Sequence, residues 1–261
     1  MQLPLFWVDA FTDRLFHGNP AAVVPLETWL PDPVMRRIAF ENGLSETAFF
    51  VRVSGNHFQL RWFTPAVEID LCGHATLASA FVLFELLGQT GPRVTFSTRG
   101  GELSVDRRDQ RLELDFPAEA TVAAAPAPGL AEALGLAPAS FRRTATRWLC
   151  VYDRAGDVAG LQPDHARLAT IVPGRITVTA PGDDCDFVSR TFVPDAGIPE
   201  DPVTGSAHCA LVPYWSARLA KTRLHARQVS ARGGELWCDL RGGRVGIAGH
   251  AVLYLRGELA I

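Results

Sequence analysis

Hydrophobic and polar positions alternate with period two through much of the first 116 residues, most plainly in Arg111-Leu112-Glu113-Leu114-Asp115-Phe116. Such alternation predicts strands with one buried face. Runs rich in Val, Leu, Phe and Thr place strands at 3–11, 21–26, 47–53, 57–64, 93–98, 101–108 and 111–116. Pro31 to Asn42 reads differently, as an amphipathic surface helix that starts near Pro31/Asp32 and stops at Asn42-Gly43. Ala75 to Leu87 is apolar on nearly every face and ends at Gly88, the composition of a helix surrounded by protein.

A Pro/Ala-rich stretch from Pro117 to Pro128 reads as a linker to a second series of elements. That series has a short helix at Leu130–Leu136 and strands near 141–152, 175–180, 186–192, 223–231, 235–240, 244–248 and 251–256. Ser206 to Ala220 is again an apolar helical segment, although Pro213 lies inside it and is expected to kink or restart it.

The two series echo each other. Arg61-Trp62-Phe63-Thr64-Pro65-Ala66 leads through an acidic loop into Cys72-Gly73-His74-Ala75 and the first apolar helix. Arg190-Thr191-Phe192-Val193-Pro194-Asp195 leads through Glu200-Asp201 into Thr204-Gly205-Ser206-Ala207 and the second. The expected fold class is therefore α+β, with two pseudo-symmetric domains at 1–116 and 129–261, each a sheet wrapped around a central helix at 75–87 or 206–220. The last strand is a candidate to return to the first domain.

Composition narrows the function without choosing it. The chain has 261 residues, 48% hydrophobic and 20% charged, which suits a soluble globular protein of one large or two medium domains. Lys+Arg 25 against Asp+Glu 28 gives a net charge of -3, with no basic run to suit nucleic acid or an anionic membrane. A small-molecule partner fits better. The N-terminus MQLPLFWVDAFTD has no signal-peptide pattern and no segment approaches about 18 apolar residues, so a cytosolic protein is expected. Five scattered cysteines (Cys72, Cys150, Cys185, Cys209, Cys238) form no C-x-x-C pair and read as reduced thiols.

Neither the remaining histidines (His57, His165, His225, His250) nor Asp183-Asp184-x-Asp186 has metal-ligand spacing, so no metal is expected. The absence of a P-loop and of G-x-G-x-x-G removes support for nucleotide binding, and no G-x-S-x-G elbow marks Ser206 as a hydrolase nucleophile.

The candidate chemistry sits at the helix starts. The first N–H groups of a helix lack carbonyl partners and carry partial positive charge, and a preceding glycine lets a ligand approach the backbone. Gly73-His74 and Gly205-Ser206 are thus candidate cradles for a carboxylate or a developing oxyanion, or else simple relief of crowding at strand-to-helix turns. Glu46 directly precedes the apolar run Ala48-Phe49-Phe50-Val51, where partial desolvation is expected to raise its pKa and suit it to general acid/base work. His74 reads either as a titratable partner or as a structural histidine. Asp201 reads either as an acid/base or as a turn-stabilising aspartate. Ser206 is a hydrogen-bond donor to ligand or a cap. His17-Gly18-Asn19-Pro20 is a turn whose His17 and Asn19 side chains are candidates to reach a ligand.

Across nearly its whole length the sequence resembles the phenazine-biosynthesis (PhzF-like) family. The segments that carry the likeness are Val8-Asp9-Ala10-Phe11-Thr12, Gly18-Asn19-Pro20-Ala21-Ala22-Val23, Asn42-Gly43-Leu44-Ser45-Glu46-Thr47-Ala48-Phe49 and Arg61-Trp62-Phe63-Thr64-Pro65. To these are added Cys72-Gly73-His74-Ala75-Thr76-Leu77-Ala78 and Glu200-Asp201-Pro202-Val203-Thr204-Gly205-Ser206-Ala207-His208. The resemblance implies the diaminopimelate-epimerase-like fold, in which each domain's sheet is β-barrel-like and the active site is interdomain, and a homodimer. It also implies cofactor-free proton transfer, with the family's glutamate, histidine, aspartate and serine falling on Glu46, His74, Asp201 and Ser206.

Racemases of this fold pair two thiols. Here Cys72 stands at the first such place, but the second half offers Asp201-Pro202-Val203 and Cys209 lies about one turn inside the helix. Cys72 is thus expected to be a packed residue, with a mixed pair of Cys72 and Asp201 as the alternative. The combined expectation is an isomerase acting on a small carboxylate-bearing metabolite. An amino-acid racemase or epimerase and a non-catalytic binding protein are the alternatives.

Overall fold

The computed structural model describes residues 1–171, 174–194 and 198–261. The chain forms two compact units, one of Met1–Phe116 with Ile247–Ile261 and the other of Pro117–Gly246. Asp195, which ends the second copy of the sequence echo, lies outside the described residues.

In the first unit, β1 (Gln2–Ala10) runs antiparallel to β2 (Asn19–Leu26), and α1 (Asp32–Asn42) crosses to β3 (Thr47–Ser54), which is parallel to β2 with Ala22 opposite Thr47. A parallel neighbour needs such a crossover, because a tight hairpin reverses the chain. β3 pairs antiparallel with β4 (His57–Phe63). The chain then passes through the short β5 (Glu68–Ile69) and α2 (Gly73–Phe81) to β6 (Arg93–Thr98), parallel to β4, and on to β7 (Gly101–Arg108) and β8 (Arg111–Pro117), each antiparallel to the one before.

The second unit begins at the stretch read as a linker: β9 (Val122–Ala123) pairs with β10 (Ser140–Arg143) after the short helix α3 (Leu130–Leu134). β11 (Arg147–Val151) is antiparallel to β10. Helices α4 (Ala155–Ala159) and α5 (His165–Ile171) then cross to β12 (Arg175–Pro181), parallel to β11. β13 (Phe187–Val193) is antiparallel to β12. From it the chain passes through β14 (Ile198–Asp201), a 3-10 turn Gly205–Ala207 and α6 (His208–Leu219) to β15 (Arg223–Gln228), parallel to β13. β16 (Gly234–Arg241) is antiparallel to β15, and β17 (Arg244–Gly249) carries the chain out of the unit. β18 (Ala251–Ala260) belongs to the first unit and pairs with β1 from Gln2 opposite Ala260 to Ala10 opposite Ala251.

The two units repeat one topology: antiparallel pair, crossover, antiparallel pair, crossover through the central helix, antiparallel pair. The repeat extends to side chains. Arg61 on β4 donates from Nε and a terminal nitrogen to both oxygens of Glu68, at 2.7 and 2.8 Å. Arg190 on β13 makes the same fork onto Glu200, at 2.7 and 2.8 Å. Each fork ties the strand before the central helix to the acidic loop that leads into it.

The first central helix is enclosed, and the second buries one side while Ala217 and Arg218 in its last turn are exposed. Every residue of α2 from His74 to Ala80 is buried, with β1, β2, β3 and β7 against it. Thr76 and Ser79 are tolerated there because their hydroxyls donate back to the carbonyls of Cys72 and Ala75, at 2.5 and 2.7 Å. The helix begins two residues earlier than the sequence pattern indicates, and its last part, Val82–Leu86, is a π turn. In α6, Trp215 stacks on Phe187 with centroids 5.8 Å apart and donates from its indole to Thr179 Oγ1 at 3.0 Å.

Pro213 does not restart α6, which runs unbroken from His208 to Leu219. Proline removes the hydrogen bond to the carbonyl four residues earlier, and here that carbonyl, of Cys209, accepts instead from the Glu119 amide at 2.8 Å. Two further differences are local. The strand expected at 141–152 is two strands separated by a turn in which the Thr144 amide bonds the Arg147 carbonyl at 2.9 Å, and α4 and α5 are helices where none was expected. No helix of the described residues is long and apolar enough to cross a membrane.

Candidate active site

Three elements of the first unit deliver side chains to the start of α2. Glu46 is the residue before β3, and its carbonyl accepts from the Ala22 amide on the parallel neighbour β2. Asn19 opens β2, after a loop that Gly18 makes possible: at φ +66 it turns where an added Cβ would lie 2.2 Å from the Ala10 carbonyl oxygen. His74 is the second residue of α2, and Cys72 precedes the helix.

These groups converge. His74 Nε2 lies 3.2 Å from Glu46 Oε2, while Nδ1 lies 3.2 Å from Asn19 Nδ2 and 3.6 Å from Cys72 Sγ. His74 and Cys72 are buried, and the Glu46 side chain keeps 12% of its surface exposed, which leaves its carboxylate a way to meet a ligand.

Burial pushes the Glu46 carboxyl up, as the apolar flanking sequence suggested, but the charge and hydrogen bond of His74 outweigh it and hold the group below its ordinary value. The expectation of a raised value is therefore corrected. Burial likewise disfavours the imidazolium, yet the contacts with Cys72 and Glu46 raise His74 well above its ordinary 6.5. Burial, then the Glu46 charge, keeps the Cys72 thiol in its neutral form, so the carboxylate is the partner that charges the histidine. The Asn19 amide nitrogen faces Nδ1, which suits a ring that accepts there; donation from Nδ1 by an imidazolium requires the amide turned over so that its oxygen accepts.

The resulting state is an ionised carboxylate beside an imidazolium in a low-dielectric site. A carboxylate in that state can only accept a proton first. The ligand atoms of Glu46, Cys72 and His74 all lie within 4.8 Å of one another, which is cation-binding spacing, but the ion pair already engages two of the three.

In the second unit, Asp201 accepts a hydrogen bond from Thr204 Oγ1 at 2.7 Å, the turn-stabilising role that was one of its two readings. Gln228, wholly buried at the end of β15, holds the same turn: its Nε2 donates to the Asp201 carbonyl at 2.6 Å and its Oε1 accepts from the Thr204 amide at 2.8 Å. Ser206 follows Gly205 in the 3-10 turn, and its hydroxyl accepts from Arg147 at 3.1 Å. His208 is fully buried with Nδ1 3.0 Å from the Thr204 carbonyl, and burial brings its pKa down to about 4, so it is neutral.

Of the residues singled out in the sequence, Glu46, His74, Gly73 and Asn19 come together at the start of α2, and Asp201, Gly205 and Ser206 share the turn before α6. His17 is placed in the loop before Asn19, its Nδ1 3.0 Å from the Leu15 carbonyl. Arg147 and Gln228 went unnoticed. Arg147 opens a strand and Gln228 closes one, positions where a polar residue carries no signal until burial is known.

The model of the family described as phenazine biosynthesis-like proteins matches residues 8–257. A protein of Pseudomonas aeruginosa named an uncharacterized isomerase is 51% identical over 261 residues, covering 100% of both chains. The crystal structure of a PhzF-family phenazine biosynthesis protein from Enterococcus faecalis superposes with a TM-score of 0.97 at 46% identity, again over 100% of both chains. An epimerase predicted in Pseudomonas aeruginosa shares the fold, with a TM-score of 0.77 at 21% identity over 99% of each chain. With relatives named isomerases matched over the whole chain, the protein is an enzyme of the isomerase class. The chain belongs to the phenazine biosynthesis-like family.

Proposed function

We propose that the protein is a cofactor-independent isomerase that moves a proton between positions of a small carboxylate-bearing metabolite. The observation that carries this reading is the buried Glu46–His74 ion pair at the start of α2. Glu46, ionised and partly accessible, takes the proton from carbon. The neighbouring imidazolium steadies the charge that develops on the ligand, and the protonated Glu46 then returns the proton at the new position. The helix-start amides at Gly73–His74 are suited to hold a developing anion, and in the second unit the Gly205–Ser206 turn, with Asp201, is suited to hold a carboxylate. Family resemblance supports a homodimer as the working form, which equilibrium sedimentation would test.

A thiol-based racemase is less well supported. It needs a thiolate, and the Cys72 thiol is held neutral by burial and by the Glu46 charge.

The test is turnover in deuterated water over a panel of small carboxylic acids. Deuterium appearing together with a shifted double bond supports the isomerase, and deuterium at an inverted stereocentre supports the epimerase alternative. Turnover that survives Glu46→Gln unchanged would remove Glu46 from the mechanism, and no turnover by any member of the panel would favour a binding protein.

A further inference from the structure

Arg147 is a buried cation without a counter-ion. It opens β11 with 4% of its surface exposed, and among the described residues no carboxylate lies within ion-pair distance of it. Its guanidinium donates to two hydroxyls, Thr177 Oγ1 at 3.0 Å and Ser206 Oγ at 3.1 Å, while its buried Nε has no partner. Burial, then the charge of Arg175, lowers its pKa to about 10, which leaves it cationic at neutral pH. The charges of Glu119 and Asp201 act on it from beyond ion-pair distance and only partly offset its burial, so the fold keeps a costly, incompletely compensated cation beside the turn that starts the second central helix.

The repeat explains the position. In the first unit the opening residue of β2, Asn19, contacts His74, the residue after the glycine of the helix start. In the second unit the opening residue of β11, Arg147, contacts Ser206, the residue after the corresponding glycine. One structural slot therefore orients a first-turn side chain in each unit, and in the second it holds a positive charge. His208, close by, is neutral and adds none.

The hydrogen-bond arithmetic fixes what Ser206 can do. An arginine only donates, so the Ser206 oxygen must accept from it and the hydroxyl hydrogen is directed elsewhere. Ser206 is only partly buried, so that hydrogen has access to a ligand.

We infer that Arg147 is a positioning residue for an anion subsite at Gly205–Ser206, making the Ser206 hydroxyl a committed donor and supplying positive charge beside it for a ligand carboxylate. This rests on the reading that the ligand carries a carboxylate, and it adds the residue that recognises that group.

Crystals of the full chain soaked at molar concentration in bromide, and separately in formate, test it. Wild type is expected to show an anomalous bromide peak, and formate density, within hydrogen-bond distance of Ser206 Oγ. Arg147→Met and Ser206→Ala should lose both, and Arg147→Lys should keep a weaker peak. No anion at Ser206 in wild type, or equal occupancy in Arg147→Met, overturns the inference. Should Arg147→Met fail to fold, Ser206→Ala decides, since it removes the hydroxyl and leaves the guanidinium in place; bromide persisting there overturns it equally.

Glu46→Gln should retain the bromide peak, so loss of the proton-transfer reading and loss of this one are separately visible. With a turned-over carboxylate, Arg147→Lys should raise KM about tenfold or more with kcat changed far less, a split that a purely structural role would not produce.

Discussion

Glu46 Oε2 lies 3.2 Å from His74 Nε2 inside the protein, and this distance sets the pH dependence of the first unit. Burial alone would push the carboxyl up and the imidazole down, but the pair reverses both shifts. The Glu46 part of the stabilisation is complete above the ordinary carboxyl value of 4.5 and fades as pH falls through its lowered value. The His74 part is complete below the ordinary 6.5 and fades as pH rises through its raised value. The difference in stability between wild type and Glu46→Gln should therefore be largest between 4.5 and 6.5 and shrink on both sides. Thermal unfolding of both proteins across pH measures it. A difference that keeps growing above neutrality would show that the histidine is not charged by this partner.

The two arginine forks should differ in weight although they occupy matching places. Arg61 meets Glu68 and Asp32, with 21% of its side chain exposed. Arg190 meets Glu200 and also donates to the carbonyls of Val158, Ala159 and Leu161, at 3.2, 3.3 and 2.8 Å, closing off the end of α4. Removing Arg190 leaves the partly buried Glu200 carboxylate without its fork and takes a donor from all three carbonyls, of which Val158 keeps the Leu161 amide. Arg190→Met is expected to cost about 3–5 kcal/mol. Arg61→Met should cost less, because water can reach Asp32 and part of the fork. Urea unfolding of the two variants ranks them, and equal losses would mean that the three carbonyl bonds contribute nothing.

Much of this was legible in the sequence because it depends on local pattern. Period-two alternation located the strands of the first half, and the uniformly apolar segments located both central helices. What escaped depends on partners distant in the chain. The tolerance of Pro213 rests on the Glu119 amide, which no local pattern announces. The sign of the Glu46 shift rests on His74; the flanking apolar residues reveal only the burial that opposes it. Helices α4 and α5, of 5 and 7 residues, are too short for a helical period to emerge. Arg147 looked like any charge at a strand end.

Gly18 is required for two separable reasons, backbone sign and space. At φ +66 a Cβ would sit 2.2 Å from the Ala10 oxygen and 2.6 Å from Thr12 Cγ2, so the backbone entering β2 must move, and Asn19 with it. Gly55, at φ +48, has nothing within 4 Å of such an atom. Gly55→Ala is expected to cost about 1–2 kcal/mol, the left-handed penalty alone. Gly18→Ala should cost at least about 2 kcal/mol more and should also impair turnover by displacing the amide that contacts His74. Comparing both variants for stability and activity separates the terms. Equal stability losses would mean that the loop relaxes freely around the new methyl group.

Gln228 bridges a turn whose two backbone groups have opposite needs. Its oxygen accepts from the Thr204 amide and its nitrogen donates to the Asp201 carbonyl, with the Gln228 side chain buried. Gln228→Leu removes one bond from each group, at about 1–3 kcal/mol each. Gln228→Glu keeps the acceptor but turns an oxygen toward the Asp201 carbonyl, so an ionised carboxyl is repelled and a protonated one donates. Its folded-state pKa should therefore be raised, and the stability it regains should be present at low pH and lost as pH rises through that value. Unfolding of the three proteins at low and at neutral pH is the measurement. Gln228→Glu should approach wild type only in acid, and a variant equally weakened at both would show that the Asp201 carbonyl does not depend on this donor.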